Sequence, residues 1–481
     1  MNYEETGLSR QEALKYRLSL RECLIGDKAF YSRLALVVVP MIIQNTLTNV
    51  VSLLDNVMVG QVGTLPMSAV AIVGQLMFVF YLGIFGTLSG AGIFGTQYIG
   101  KGDYEGVRHA IRFKLIAAAA IGGLFLTVFG LAGPALIGRY IAESTTAADR
   151  ELTMRLALQY LHIMMVGMIP FALTQVYGST LREAGYTTIP MRGSMIAMAV
   201  NFVLNALLIF GLFGLPKMGV AGAAVATVVS RFVEMAIVVG AGCRNTDKFP
   251  FFAGIFRNFR IPGNVAREIL IKTLPLSVNE ILWSLGQAQL MQSYSVRGIE
   301  VIAAINISNT ISQIFNEVFI SLGGAAGIIV GQELGANRLV GARRTAWRMA
   351  ATSLMSTIVM GGALFAVAPL IPQIYNTEVE IRQLATTLIR IVAVCMPIHS
   401  FANVSYFIMR SGGRTLVTFF FDSCFSWIVS VPLAYILATF TSLPPQVILA
   451  SVMSADLIKC AIGFVLVKKG VWVRNIVTGM G

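Results

Sequence analysis

The sequence predicts an all-α polytopic membrane protein, with twelve transmembrane helices in two six-helix lobes related by a parallel internal repeat. Composition is the first reason: 56% of the 481 residues are hydrophobic and 12% are charged, whereas a soluble domain carries about a quarter charged residues. Long apolar segments and a duplicated set of motifs are the other two reasons. The net charge of +13 does not indicate nucleic acid, because the basic residues lie in short connections between apolar segments.

The first apolar segment extends from Leu34 to Gly60 and contains one ionisable residue, Asp55. It is long enough to cross a bilayer, which takes about 20 apolar residues. Its polar residues recur at helical spacing on one face, at Asn45, Asn49, Ser52 and Asp55 or Asn56. A carboxylate near mid-membrane costs roughly 2.5–3.5 kcal/mol on insertion scales, so we expect Asp55 to face an interior and to have a function. The alternative is an aspartate that a neighbouring helix satisfies for packing alone.

Twelve apolar segments follow one another along the chain. They span residues 34–59, 69–98, 110–137, 151–181, 187–211, 218–242, 268–295, 302–332, 343–371, 382–409, 415–440 and 446–467. The predicted domains are an N-terminal tail (1–32), an N-lobe (33–242), a basic linker (243–267), a C-lobe (268–467) and a C-terminal tail (468–481). The N-terminal tail lacks the apolar core of a cleavable signal, so the first span acts as its own insertion signal.

The distribution of Lys and Arg predicts the orientation. With the N-terminus inside, the inner connections contain 27 of these residues and the outer connections contain 6. Because basic loops remain on the cytoplasmic side, both termini are predicted to be cytoplasmic in a multi-pass protein of the cell membrane.

The chain repeats itself at a constant spacing, which we call the repeat offset and define as the separation between Pro40 and Pro275. The other pairs at this spacing are Gly63 and Gly298, Ala69 and Ala304, Gly92 and Gly327, Gln97 and Gln332, and Gly100 and Gly335. Later, Arg182 and Gly185 recur as Arg410 and Gly413. Each half holds six spans, so both halves enter the membrane in the same direction. This organisation suits a transporter that exposes one site alternately to each side, and a duplicated scaffold without moving parts is the alternative.

Several motifs occur in a fixed order along the chain. They are Pro40 with Asp55-Asn-Val-Met-Val-Gly60, Gly63 and Ala69-Val-Ala, then Gln97-Tyr-Ile-Gly100, Arg182-Glu-Ala-Gly185, Asn201-Phe-Val-Leu-Asn205, Gly219-Val-Ala-Gly-Ala-Ala and Gln332-Glu-Leu-Gly335. In order, spacing and duplication, the whole chain resembles the multidrug and toxic compound extrusion (MATE) family of secondary transporters. The resemblance implies a V-shaped pair of six-helix lobes. It also implies export of organic, often cationic and aromatic, compounds driven by inward movement of H⁺ or Na⁺.

The resemblance also implies an ion site in the N-lobe. In the family this site is built around the first-span Asp, an Asn and an Asp one turn apart on span 5, and a Thr on span 6. These positions fall on Asp55, Asn201, Asn205 and Thr227. Asn205 departs from the family pattern and leaves a single carboxylate among amides and a hydroxyl. A carboxyl group in a poorly hydrated site takes up a proton more readily than one in water, and the same oxygens are hard ligands for a small cation. The coupling ion is therefore H⁺ or Na⁺.

A second candidate site lies in the C-lobe. Glu280, Ser284 and Gln287 share one face of span 7, and some members of the family carry a functional Glu at this place. Span 10 offers no acidic partner, and its nearest polar residues include His399 and Asn403. If His399 faces Glu280, the two form a proton-linked pair. A His that is hydrogen-bonded to backbone is the alternative.

Other intramembrane charges receive simpler interpretations. Asp422 on span 11 is expected to face the C-lobe interior, as a member of a relay with His399 and Asn403. Asp456 and Lys459 lie three residues apart on span 12, so mutual neutralisation on one helix face is expected. Arg231 and Glu234 on span 6 have the same spacing and the same interpretation.

Flexible Met and flat aromatic side chains suit loose recognition of apolar cations, although Met-rich helices also pack without touching a substrate. A polar stripe on span 8 is expected to line the wall of the same cleft. The residues expected in the cleft are Met41, Asn45, Asn49, Met58, Met77, Phe78, Tyr81, Ser284, Gln287, Asn306 and Gln313.

These features together favour a secondary active antiporter for multidrug efflux, with no cofactor besides the coupling ion. Its expected partners are a small organic cation and the lipid bilayer, without nucleic acid, and a monomer is expected. One alternative changes the cargo to a lipid-linked saccharide or an endogenous metabolite, and another is a non-transporting membrane sensor. An enzyme is disfavoured because His109, His162 and His399 are far apart in the sequence and no metal or nucleophile motif fits.

Overall fold

The computed structural model describes residues 9–16, 18–141, 146–375 and 377–478, without the side chains of Ser52 and Leu53. Within these ranges the regular structure is helical, and no strand is present. The ends of both predicted tails lie outside the described residues. So do the side chain of Ser52, in the predicted polar stripe, and Arg17, one of the 27 basic residues predicted to lie inside.

The helices are long and follow one another through short turns. In chain order they are α1 (Arg10–Lys15), α2 (Leu20–Leu24), α3 (Lys28–Gly60), α4 (Thr64–Lys101), α5 (Tyr104–Gly138), α6 (Ala147–Glu183), α7 (Thr188–Phe210), α8 (Val220–Arg244), α9 (Gly263–Ser295), α10 (Ile299–Gly335), α11 (Leu339–Val367), α12 (Val379–Ser411), α13 (Thr415–Phe419), α14 (Val431–Phe440), α15 (Pro445–Ser454) and α16 (Asp456–Lys469). The two short helices at the start each begin with a capping box, formed by Ser9 with Glu12 and by Ser19 with Glu22.

Eleven helical segments in the described ranges are long and apolar enough to cross a membrane. The twelfth predicted span corresponds to α9, whose 33 residues are sufficient in length. It is less apolar because it carries Arg267, Glu268, Lys272 and Glu280. Exposed apolar side chains such as Leu131 on α5, with 82% of its surface accessible, fit contact with hydrocarbon rather than with water.

The helix boundaries repeat at the same spacing as the sequence motifs. The first residues of three helix pairs are separated by the repeat offset, at Lys28 and Gly263, Thr64 and Ile299, and Tyr104 and Leu339. The last residues of α3 and α9, Gly60 and Ser295, keep that spacing. The duplication therefore extends from individual residues to whole helices.

The last two spans are irregular. Span 11 passes from α13 to α14 through two π-helical turns, Phe420–Cys424 and Ser426–Ser430. Pro432, in the first turn of α14, has no N–H for a helical hydrogen bond. Span 12 is interrupted at Ala455, between α15 and α16. Irregular turns of the π type often accompany functional residues, and Asp422 lies in the first of them.

The chain divides into two compact units, which we name the N unit and the C unit. The N unit comprises Val39–Gly92 and Tyr104–Arg267, and the C unit comprises the described parts of Met1–Val38, Ile93–Asp103 and Glu268–Gly481. In the N unit, α8 packs against α6 and α7, and α5 packs against α6. In the C unit, α12 packs against α10, α11 and α16. The segment after α8 thus belongs to the N unit, and the segment before α3 belongs to the C unit.

The described C-terminal residues fold into the C unit. Trp472 is fully buried, and a Cβ atom on Gly412 would overlap the Trp472 carbonyl group. The Gln97 amide donates to the Ser411 carbonyl oxygen at 2.8 Å and accepts from the Ile476 backbone N–H at 2.9 Å. These contacts tie the chain end to the ends of α4 and α12.

Candidate functional site

Four polar side chains of the N unit form one hydrogen-bonded chain. The Asn205 Nδ2 group donates to Asp55 Oδ1 at 2.5 Å and to Asn201 Oδ1 at 3.1 Å. Asn201 Nδ2 in turn donates to Thr227 Oγ1 at 3.3 Å. Asn201 and Asn205 are 3% and 1% exposed. The structure therefore brings together the four residues that the sequence predicts as neighbours, from α3, α7 and α8.

Close packing of α7 on α8 sets this geometry. A Cβ atom on Gly222 would overlap the backbone of Leu208, and one on Gly193 would press on Val238. Small residues at such contacts let helices approach closely in a membrane. Asn201 and Asn205 lie one helical turn apart on α7, so both amides face the same line on α8.

The chemistry of the site is that of one carboxylate with a neutral direct donor, on which the charge of Arg231 also acts. The direct donor to Asp55 is the amide of Asn205. The Asn205 Oδ1 atom is buried and has no hydrogen-bond partner among the described residues. Within the described ranges no group of three or more His, Cys, Asp or Glu side chains is placed to hold a metal ion. The site suits a proton or a weakly bound hard cation better than a transition metal.

A second network of the N unit starts on the same helix, α3. Gln44 Nε2 donates to Ser194 Oγ at 2.9 Å, and Ser194 donates to Glu234 Oε1 at 2.6 Å. Arg231 lies 3.8 Å from Glu234 and places its guanidinium 4.7 Å from the centre of the Phe171 ring. The expected Arg231–Glu234 pair is thus present, but its contacts with Phe171 and Ser194 were not predicted.

A buried ion pair connects α5 and α6 in the N unit. Lys114 Nζ lies 2.6 Å and 2.8 Å from the two carboxylate oxygens of Glu183, and it also donates to Ser179 and Thr180 at 3.2 Å. Glu183 packs against Gly92, where a Cβ atom would touch its carboxylate. This pair was not predicted, because Lys114 and Glu183 are 69 residues apart in the sequence.

The C unit has its own network around Asp422. Asn279 Nδ2 donates to Asp422 Oδ2 at 3.1 Å, and Lys459 Nζ donates to Asp422 Oδ1 at 2.9 Å. Ser423 bonds to the side chain and the backbone of Asn279. Lys459 therefore pairs with Asp422 on another helix rather than with Asp456 on its own helix, contrary to expectation. Asn279 was missed although it directly precedes Glu280.

The predicted pairing of His399 with Glu280 is wrong. His399 Nε2 lies 3.3 Å from Asp456 Oδ2, because α12 packs on α16 and turns the imidazole toward that helix. The charged groups that act on Glu280 are Arg410 and Asp422. Asn403 lies beside Gly323 on α10, and its buried Oδ1 atom has no partner among the described residues. The predicted relay of His399, Asn403 and Asp422 is not a connected hydrogen-bonded chain within the described residues.

The cleft candidates fall into three environments. Met77 is 3% exposed and packs in the core of the N unit, so its assignment to a cleft is corrected to a packing role. The Tyr81 ring lies 4.4 Å from the Phe171 ring with the two planes tilted by 42°, and the Arg231 guanidinium lies over it. The others are partly or fully exposed, at Met41, Asn45, Asn49, Met58, Phe78, Ser284, Gln287, Asn306 and Gln313.

Within the described residues, eleven apolar helices and the long helix α9 form two copies of one arrangement and hold carboxylates and amides inside the spans. These features define a multi-pass membrane transporter. The chain belongs to the MatE family, whose model matches residues 40–207 and 275–436. The two matched stretches lie in the two sequence repeats. Proteins of this family are transporters and not enzymes, and they export drugs by ion-coupled antiport.

The alignments with related proteins and with solved structures cover most of the chain. The probable multidrug resistance protein YoeA of Bacillus subtilis (strain 168) is 25% identical over 416 residues, which cover 85% of this chain and 87% of YoeA. The probable multidrug resistance protein NorM of Thermotoga maritima is 24% identical over 412 residues, which cover 84% and 85%. A crystal structure of MATE in the bent conformation aligns with a TM-score of 0.82 at 17% identity, covering 94% of this chain and 97% of that chain. An outward-facing multidrug resistance MATE transporter of the MOP superfamily aligns with a TM-score of 0.78 at 17% identity, covering 94% and 98%. The structural likeness establishes the fold.

Proposed function

We propose that this transporter is an antiporter that exports organic cations in exchange for H⁺ or Na⁺, and that Asp55 binds the coupling ion. The observation that carries the proposal is the 2.5 Å hydrogen bond between Asp55 and Asn205 within apolar helices. A carboxylate in such a place is costly. Its direct donor is neutral and Arg231 acts on it only through space, so among the described residues a mobile cation has no direct ionic partner of Asp55 to displace.

Ion binding changes which arrangement of the site is favourable. The Asn205 Nδ2 group is shared between Asp55 and Asn201. When a proton or Na⁺ neutralises Asp55, its attraction for this donor weakens and Asn205 turns to Asn201. The unpartnered Asn205 Oδ1 atom then offers an oxygen ligand to the ion. The ion acts as a switch if it binds one conformation of α3 more tightly than the other.

The proposed cargo is a flat, positively charged organic compound. Tyr81 and Phe171 already hold a guanidinium, that of Arg231, and such ring faces attract organic cations. Phe78, on the same helix as Tyr81, is exposed, and Met58 on α3 is partly exposed. Arg231 itself favours the second candidate cargo, a lipid-linked saccharide with an anionic phosphate. We further propose a monomer in the cell membrane with both termini in the cytoplasm.

The test is uptake by the purified protein in proteoliposomes, with a pH gradient and a Na⁺ gradient imposed separately. A panel of organic cations and one polyprenyl-phosphate sugar is compared. We expect one gradient to drive cation uptake, and Asp55→Asn to abolish that response while the protein inserts and elutes as wild type. Wild-type transport by Asp55→Asn would contradict the role of Asp55, and uptake of the phosphate sugar alone would replace the proposed cargo.

A further inference from the structure

Two short segments occupy the same place in the two repeats. Residues 20–25 end shortly before α3 begins at Lys28, and residues 255–260 end shortly before α9 begins at Gly263. Both the segments and the helix starts are separated by the repeat offset. Each repeat therefore has a lead segment, the name we use for these two stretches.

The second lead segment is fixed to the N unit. Arg108 donates to the Pro250 carbonyl oxygen at 3.0 Å, and Arg112 Nε donates to the Ile255 carbonyl oxygen at 3.2 Å. Ile255 is buried, and just before it the Phe252 ring stacks on Tyr177 at 4.9 Å. These contacts make the connection between α8 and α9 a docked element rather than a loose tether.

The first lead segment is fixed to the C unit in a corresponding way. Arg343 on α11 donates to the carbonyl oxygens of Ala13 and Tyr16. Arg348 Nε donates to the Glu22 carbonyl oxygen at 2.9 Å, and Arg344 lies 3.1 Å from the Glu22 carboxylate. Hydrogen bonds from the N–H and hydroxyl groups of Ser19 lower the pKa of Glu22. Arg343 follows Arg108 by the repeat offset, so one arginine of the repeat binds the backbone shortly before the lead segment in both units.

One side of each lead segment contacts its own unit. The other side exposes apolar side chains next to basic ones. Phe256 and Phe259 are 64% and 48% exposed, with their rings 5.9 Å apart. Arg257 and Arg260 beside them are exposed as well. In the first segment Leu20 is 76% exposed, and Leu24, Ile25 and Arg21 are also exposed.

An aqueous setting does not suit these surfaces, because exposed apolar area costs roughly 25 cal/mol per Å² in water. The bilayer interface suits them, since aromatic rings and arginine side chains are favourable at the level of the headgroups. Residues 248–267 contain Lys248, Arg257, Arg260 and Arg267 and no acidic residue, which complements an anionic surface. Both segments also connect directly to membrane helices.

We propose that the lead segments are paired interfacial anchors. Phe256 and Phe259, and Leu20, Leu24 and Ile25, insert between lipid headgroups, and Arg257 and Arg260 bind the phosphate groups of anionic phospholipids. The anchors lie outside the ion site and do not depend on the cargo or the coupling ion.

The first test measures immersion in the full-length protein in nanodiscs. Nitroxide labels are placed at Phe256, Phe259 and Leu24, in a background whose five native cysteines are replaced, with Asp247 as the exposed control. We expect the three labels to be more accessible to oxygen than to a water-soluble nickel chelate, and the control label to show the reverse. Nickel access at all positions would overturn the proposal, as for a segment that lies in water or is covered by a soluble partner.

The second test measures the lipid. Nanodiscs contain phosphatidylcholine alone, phosphatidylcholine with phosphatidylglycerol, or phosphatidylcholine with inorganic phosphate in the buffer, and native mass spectrometry counts the retained species. We expect wild-type protein to retain phosphatidylglycerol and no free phosphate. The variant Arg257→Gln/Arg260→Gln should lose about fivefold in retention per arginine, and the control Arg150→Gln should not change. Unchanged retention by the double variant, or retention of free phosphate alone, would overturn the headgroup assignment.

Discussion

The N unit and the C unit build corresponding three-helix networks with the charges in different places. Gln44 and Asn279 are separated by the repeat offset. Ser194 follows Arg182 at the same distance at which Asp422 follows the matching Arg410. The N-unit network passes from Gln44 through Ser194 to Glu234, and the C-unit network passes from Asn279 through Asp422 to Lys459.

The charged groups near the carboxylates of the two units indicate where a coupling ion can bind. Lys459 already balances Asp422, and Arg410 and Asp422 surround Glu280 with charges of both signs. Asp55 has a neutral direct donor, and the residue one repeat offset later is Leu290. The two units share the hydrogen-bonding frame. Asp422 has a direct ionic partner, whereas Arg231 acts on Asp55 only through space and no ion pair of Asp55 is present among the described residues, so a mobile cation meets less competition at Asp55.

The largest effect is expected from breaking the C-unit pair. Lys459→Met leaves the Asp422 carboxylate without its cation inside the membrane helices, which costs about 3–5 kcal/mol for a buried pair. Thermal unfolding in detergent should show a marked loss of stability. Adding Asp422→Asn should recover most of it, and Lys101→Met, in an exposed pair with Asp103, should cost about 1 kcal/mol or less. Equal losses in the single and double variants would show that packing, not charge, holds this network.

A second carboxylate in the N unit should sharpen the contrast. Asn205→Asp places two acidic groups at the distance of the present hydrogen bond, and two such groups hold a proton or cation between them. The pH profile of transport should shift upward by about one unit or more, because a second carboxylate of like charge at this range makes loss of the shared proton less favourable by at least that. Asn245→Asp, at an exposed position outside the lead segments, is the matched control. An unchanged pH profile of transport would show that Asp55 does not take part in the coupling step.

The smallest effect on transport is expected from a change at Thr227, the last residue of the hydrogen-bonded chain that starts at Asp55. Thr227→Val removes the acceptor of the 3.3 Å bond from Asn201 and keeps the side-chain shape. A neutral hydrogen bond contributes about 1 kcal/mol, so the affinity for the coupling ion should fall by about fivefold. This affinity is measured by following substrate release while the concentration of the coupling ion is varied. Loss of all transport in this variant would show that Thr227 binds the ion directly.

The sequence predicted most of the helical frame. Spans 6 and 8 were expected at 218–242 and 302–332 and are found as Val220–Arg244 and Ile299–Gly335, because apolar length and helical periodicity are local properties. The repeat offset showed which helices correspond. The breaks in spans 11 and 12 were not predicted, since an extra residue in a helical turn leaves no clear mark in composition.

Partnerships between helices were harder to predict. The approach of Asp55 to Asn201, Asn205 and Thr227 followed from the family resemblance and not from periodicity. His399 was assigned to Glu280 and contacts Asp456 instead. Helical spacing shows which residues share a face, but the neighbour of that face depends on how α12 packs on α16. The Lys459–Asp422 pair was missed for the same reason.

The most direct test of the central claim is gradient-driven uptake by Asp55→Asn and Glu280→Gln, reconstituted side by side in the same proteoliposomes. The claim is that the N-unit carboxylate binds the coupling ion. We predict that Asp55→Asn loses its response to the driving gradient and that Glu280→Gln keeps it. A response that survives in Asp55→Asn and disappears in Glu280→Gln would contradict the claim and move the coupling site to the C unit.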